Sequence, residues 1–313
     1  MTQEEKPKII VITGPTATGK TSLGIRLAKK HNGEVISADS MQVYKLMDIG
    51  TAKPSDDEKG GVVHHMLDVV PPWEDYSAAR YVREATVCTD DVISRNKLPI
   101  IVGGSGLYVD SLIRGRVFAA KVNPELRKIL ELRYDKLGGK AMLDELRRLD
   151  AKGAEKLHEN DKKRIVRAFE VLETSDMPLS EHDLSEKSLP PRYDCIKIAL
   201  SFVDREILYD RINRRVDDMM SRGLAREVAS LQELGVRRNS TSMQAIGYKE
   251  LCEALENKAD IGTAVDKIKM ESTRYAKRQL TWLRRDSSIH WILWDKAPDI
   301  ERGISEIERL QKG

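Results

Sequence analysis

What this sequence lacks narrows its function first. Its three cysteines, Cys88, Cys195 and Cys252, are odd in number, far apart and without any CxxC spacing, which argues against both a disulfide framework and a structural zinc site. All three are expected to be reduced and buried. No run approaches the roughly 18 uninterrupted apolar residues of a membrane span, and the opening MTQEEKPK lacks the apolar core of a signal peptide. A soluble, cytoplasmic protein without membrane contact is therefore expected. An excess of one charge is also missing, since 53 Lys and Arg stand against 50 Asp and Glu, a net +3. That total neither requires nor forbids a polyanionic partner, because binding depends on local clustering. There is no internal repeat and no low-complexity tract.

What is present is enough for a real core. Of 313 residues, 40% are hydrophobic and 33% charged, so a large buried interior can lie under a surface crowded with ions of both signs. The β-branched run Ile9-Ile10-Val11-Ile12-Thr13, bounded by Pro7 and Gly14, reads as a buried parallel strand. Thr21 to Lys30 then has helical spacing, and Val35-Ile36-Ser37-Ala38 is a second strand ending at Asp39. A helix from Tyr76 to about Ser94 precedes a third strand, Pro99-Ile100-Ile101-Val102, which stops at Gly103-Gly104. Alternating strands and helices imply a parallel sheet with right-handed crossovers.

From about Arg116 to Pro191 the β-branched runs disappear. Leucines and charged residues at helical spacing replace them, with Leu126, Ile129, Leu130 and Leu132 and again Leu143, Leu146 and Leu149 as the expected apolar stripes. Cys195 to Val203 resumes as a strand. Helices follow over Arg205 to Arg222, with Leu208, Ile212, Val216 and Met219 on one stripe, and over Ala225 to Leu234. A long basic helix from Asp266 to about Arg285 leads into a last strand, Ile289 to Trp294. The expected architecture is an α/β core formed by residues 1–115 and 192–313, a parallel sheet flanked by helices as in P-loop proteins, interrupted by one all-helical insertion at 116–191.

Gly14-Pro15-Thr16-Ala17-Thr18-Gly19-Lys20-Thr21 fits GxxxxGK[ST] at every fixed position and stands between a strand and a helix. Glycines let the backbone curl so that successive N–H groups face an anion, and the following helix adds its positive end. Lys20 brings a mobile positive charge to the terminal phosphate, and the Thr21 hydroxyl is placed to hold Mg²⁺. Most such loops bind a nucleoside triphosphate, and their usual companion is an acid ending a later strand. Here that strand ends in two glycines. Asp39 is instead the acidic residue at the carboxyl end of a core strand, where open α/β sheets place ligands. It could act as a general base, as support for a metal, or as a helix cap. On these residues alone a P-loop small-molecule or nucleoside kinase, with the insertion as its lid, is one reading. A nucleotide-gated interaction protein without covalent chemistry is another.

Eight blocks in order carry a more specific likeness. They are the loop Gly14 to Thr21, Ser37 to Tyr44, Gly50-Thr51-Ala52-Lys53-Pro54, His64 to Asp68, Gly103 to Tyr108, Asn160 to Ala168, Gln244 to Glu250, and Tyr275-Ala276-Lys277-Arg278-Gln279. Together they resemble the bacterial tRNA dimethylallyltransferases, also called tRNA isopentenyltransferases, from about residue 8 to residue 285. The resemblance implies transfer of a prenyl group from dimethylallyl diphosphate to N6 of adenosine 37, in tRNAs reading codons that begin with U, giving N6-dimethylallyladenosine. The loop Gly14 to Thr21 would then hold a diphosphate leaving group, with Mg²⁺ at Thr21, and no companion acid would be needed. Asp39 becomes the base that takes a proton from the weakly nucleophilic adenine amine. The resemblance also places a functional arginine near Arg211 and Arg215, without saying which.

For the tRNA anticodon stem-loop, the resemblance points to Asp39, Ser40, Met41 and Gln42 around the flipped adenine. Ser105 stands where many relatives have Thr and keeps the hydroxyl. Lys163, Arg164, Ile165 and Arg167 would contact tRNA from the insertion, with Arg127 a weaker candidate, and Lys277 and Arg278 from the basic helix. The pair His64-His65 invites a metal reading. Neighbours in a strand face opposite sides, however, and nothing completes a tetrahedral set, so packing or a substrate-loop role is expected instead. A monomer is the default.

Overall fold

The computed structural model describes residues 6–116, 123–175, 178, 180–181 and 190–312. It divides into two compact units, one drawn from Met1–Gly115 and Arg192–Gly313 and the other from Arg116–Pro191.

The first unit is built on a six-stranded parallel sheet. Its strands are β1 (Lys8–Thr13), β2 (Gly33–Ser37), β3 (His64–His65), β4 (Leu98–Val102), β5 (Asp194–Phe202) and β6 (His290–Trp294), in the order β3-β2-β4-β1-β5-β6. β1 lies at the centre, with Ile10 opposite Ile100 on one side and Ile196 on the other. A strand covered on both faces must be apolar throughout, and Ile9, Ile10, Val11 and Ile12 are all at most 1% exposed. The helices Lys20–Lys30 and Ile300–Lys312 bring Leu23, Leu27, Ile304 and Ile307 against the sheet, where Ile292 and Trp294 join them. The helix Arg205–Ser221 buries Leu208, Ile212, Val216 and Met219, the stripe read from its spacing.

The second unit packs the helices Pro124–Leu137, Gly139–Leu149 and Lys162–Thr174 around Leu130, Met142, Leu143, Leu146, Ile165, Val166 and Phe169. Pro124 opens the first of these, and Asn123 caps it by accepting the N–H groups of Glu125 and Leu126.

Several expectations need correction. Of the leucine-rich stripes, Leu130, Leu143 and Leu146 are buried, but Ile129, Leu132 and Leu149 are 62%, 61% and 54% exposed. Three short helices surround a small core, so only one narrow face of each is covered. Cys252 is buried, whereas Cys88 and Cys195 are only half-buried. The short edge strand β3, the helices Gly106–Arg114 and Tyr248–Glu256, and the terminal helix Ile300–Lys312 were not read from the sequence. Among the described residues no helix is long and apolar enough to cross a membrane.

Candidate active site

The carboxyl ends of β1, β2 and β4 converge on the loop Gly14 to Thr21. The loop turns through left-handed backbone at Ala17 (φ 65°) and Gly19 (φ 86°), with φ 140° at Gly14. A Cβ on Gly14 would stand 2.4 Å from the Leu200 carbonyl oxygen, so the loop lies directly against β5. Within the loop, the Pro15 carbonyl accepts from the Thr18 hydroxyl at 2.8 Å and from the Lys20 amine at 2.5 Å. Lys20 is partly buried. Its pKa falls to about 7, chiefly because burial removes hydration from the ammonium and secondarily because of the charge of Arg215, while the Asp39 carboxylate opposes both.

The two arginines of the helix Arg205–Ser221 have different tasks. Arg211 stacks over Phe202, 5.4 Å from the ring centre, and donates through Nε to the Ala17 carbonyl at 3.0 Å. It braces the loop from outside. Arg215 has a buried Nε with no hydrogen-bond partner among the described residues. Burial lowers its pKa, and Asp39 is the first charge to counter that.

Asp39 stands two residues beyond the end of β2. Its Oδ1 accepts the Met41 N–H at 2.9 Å, so one oxygen closes a local turn, and no helix begins there for it to cap. Its charge acts on Lys20 and Arg215, and on the hydroxyls of Tyr81, Tyr108 and Tyr275 as well. The residues after it are tied down. The Ser40 N–H donates to the Ser105 hydroxyl at 3.0 Å. Gln42 accepts from the Ser37 hydroxyl at 2.9 Å and donates to the carbonyls of Thr51 and Ala52 at 3.2 and 3.3 Å. The Gln42 side chain therefore holds its own loop, while Ser40 and Met41 stay partly accessible.

The end of β4 has no room for an acid. A Cβ on Gly103 would be 2.1 Å from the Ala38 carbonyl oxygen, and one on Gly104 would be 2.3 Å from the Gln279 amide nitrogen. Gln279 donates to the Gly104 carbonyl at 2.8 Å, and its buried Oε1 has no partner among the described residues. Tyr275 and Trp282 flank Gln279 at i−4 and i+3, on the same face of the helix Ile261–Leu283, and Trp282 covers Gly106. Tyr275 is pushed up to about 12 by burial and by Asp39, and Tyr81 stacks on Tyr108 with ring centres 4.0 Å apart. Tyr108, Tyr275 and Gln279 stand in the blocks read from the sequence, but none of these aromatic residues, nor Gln279, was given a site role there. The signal was the i, i+4, i+7 stripe Tyr275, Gln279, Trp282 inside a stretch whose cations draw more notice. Lys277 and Arg278 lie off that stripe and are exposed, Lys277 over the Tyr209 ring at 5.1 Å and Arg278 over Tyr275 at 5.8 Å.

In the helical unit the candidates separate. Lys163 and Arg164 are exposed and make no ion pair with the described residues. Arg127 and Arg167 pair with Glu170 at 2.8 and 3.2 Å, and that carboxylate is only 3% exposed. Arg127 thus neutralises a buried acid. Ile165 is 0% exposed, so its side chain belongs to the core of the unit and cannot offer a surface contact. His65 meets Glu34 at 2.7 Å, while His64 lies 2.9 Å from the Val62 carbonyl, a packing arrangement. No cluster of three metal-binding side chains occurs among the described residues.

The IPP transferase family matches residues 42–286, and the isopentenyl transferase family matches residues 7–71. A tRNA dimethylallyltransferase of Acetivibrio thermocellus is 44% identical over 301 residues, 96% of each chain. One of Carboxydothermus hydrogenoformans is 46% identical over 285 residues, 91% of each chain. The solved tRNA isopentenylpyrophosphate transferase of Bacillus halodurans superposes with a TM-score of 0.73 at 39% identity, covering 98% of this chain and 96% of that one. A eukaryotic dimethylallyltransferase solved while acting on tRNA gives a TM-score of 0.80 at 31% identity, covering 97% of this chain and 77% of that one.

Proposed function

This chain belongs to the IPP transferase family, whose curated relatives are tRNA dimethylallyltransferases, and we propose how it carries out that prenyl transfer. The donor is dimethylallyl diphosphate and the acceptor is N6 of adenosine 37 in tRNAs that read codons beginning with U. The chain works as a monomer.

The diphosphate sits in the loop Gly14 to Thr21, where backbone N–H groups, Lys20 and Arg215 meet the charge that builds as the carbon–oxygen bond breaks. Arg215 takes the anion contact, because its Nε is buried without a partner, whereas Arg211 is already committed to the Ala17 carbonyl. Asp39 accepts the proton of the adenine amine as the new carbon–nitrogen bond forms. Tyr81, Tyr108 and Tyr275 lie within electrostatic reach of that carboxylate. Gln279, with its orphan Oε1, stands at the end of β4 beside Gly104.

Mg²⁺ fits the donor set. The Thr21 hydroxyl bonds to none of the described residues, and among them no cluster of three metal-binding side chains competes for an ion. Magnesium favours phosphate oxygens and water around one or two protein ligands, and when bound it neutralises part of the diphosphate charge.

The observation that carries this reading is the placement of Asp39 within electrostatic reach of both Lys20 and Arg215, beside a strand end that cannot hold a kinase's metal-supporting acid. Purified protein, radiolabelled dimethylallyl diphosphate, Mg²⁺ and unmodified tRNA bearing adenosine at position 37 should give labelled RNA. ATP hydrolysis with no label in RNA would overturn it.

A further inference from the structure

Strand β6 and the turn after it lie beyond residue 286, outside both matched family spans. Yet they touch the phosphate loop from behind. The Trp294 indole, 0% exposed, donates to the Thr18 carbonyl at 2.9 Å, and Pro298 stands 3.0 Å from where a Gly19 Cβ would be.

The direction of that bond matters. Among the described residues there is no cis peptide bond, and in a trans peptide the carbonyl of one residue and the N–H of the next point opposite ways. A Thr18 carbonyl drawn outward to Trp294 turns the Gly19 N–H inward. The same holds one peptide earlier, where Arg211 takes the Ala17 carbonyl and the Thr18 N–H faces the other way. Gly19 is flexible at φ 86°, so without an external donor its preceding peptide could rotate. Ring packing against Gly303 and the bond from the Val203 N–H to the Trp294 carbonyl fix the indole in turn.

We propose that Trp294 is a positioning residue for the diphosphate: its indole N–H, holding the Thr18 carbonyl outward, keeps the Gly19 N–H aimed at the leaving group. The inference rests on the loop's being a diphosphate site. Trp294→Phe removes the N–H and keeps most of the ring. Titration calorimetry with inorganic pyrophosphate and Mg²⁺ should show binding weakened about five- to tenfold, with KM for dimethylallyl diphosphate raised alike. The kcat at saturating donor and the affinity for tRNA should stay within about twofold. Ile292→Val, on the same strand, is the control for ordinary core loosening.

Pyrophosphate affinity unchanged in Trp294→Phe, or weakened equally by Ile292→Val, overturns the inference. Wild-type protein that binds no pyrophosphate overturns the reading of the loop itself, which is a separable result. A measurement without any change at 294 guards against misfolding. In protein labelled with 15N-glycine, the Gly19 amide must shift on adding pyrophosphate while Gly235 does not, and a silent Gly19 overturns the proposal.

Discussion

At the scale of single residues, the charges around Asp39 decide what can be tested. Asp39→Asn keeps the Oδ1 acceptor for the Met41 N–H and removes only the basicity. Single-turnover transfer should slow by at least roughly 10²-fold, with tRNA affinity within a few-fold; unchanged kinetics would remove Asp39 from the base role. Lys20 gives a pH test. With its pKa near 7, the free protein loses the ammonium as pH rises above that value. Bound diphosphate favours the charged form and raises that pKa, so affinity is greatest below it and declines through higher pH, by up to about tenfold per unit. Calorimetry with pyrophosphate between pH 7 and about 8.5 should show the decline, and Lys20→Arg should flatten it because arginine does not titrate there.

At the scale of elements, the glycine loop and the strand before Asp39 were legible because their signals are local: fixed glycine spacing and a β-branched run. What escaped was made by distant pairs. Trp294 meets Thr18 across 276 residues, and Gln279 meets Gly104 across 175, and local spacing names the partner of neither. The choice between Arg211 and Arg215 was equally hidden, since both lie on one helix face and only the neighbours Ala17 and Phe202 separate them. Another long-range device holds the segment after Asp39. The Glu227 carboxylate accepts the N–H groups of Asp48, Ile49 and Gly50 at 3.0, 2.8 and 3.2 Å, and Tyr248 donates to it. That clamp fixes Thr51 and Ala52, whose carbonyls hold Gln42. Glu227→Ala should therefore reduce kcat/KM for tRNA by about tenfold while leaving pyrophosphate affinity intact. An equal loss in both would place the clamp's effect on overall stability instead.

At the scale of the whole molecule, a near-neutral chain must grip a polyanion with a few placed cations, and ion pairing separates those from the rest. Lys163, Arg164, Lys277 and Arg278 are exposed without acidic partners among the described residues, whereas Arg127 and Arg167 are spent on Glu170. Counterion release makes the logarithm of affinity fall with the logarithm of salt, by about 0.7 to 0.9 for each phosphate neutralised. Lys163→Ala with Arg164→Ala should thus weaken tRNA binding and flatten that slope by about 1.5, with thermal stability unchanged. Arg127→Ala should do the reverse. It leaves a carboxylate that is 3% exposed with Arg167 as its remaining partner, costing roughly 1 to 3 kcal/mol of stability, and the salt slope should not move. Binding measured from low to moderate salt, beside thermal melts, distinguishes the two. An Arg127→Ala slope as shallow as that of the Lys163 and Arg164 double variant would return Arg127 to the RNA surface.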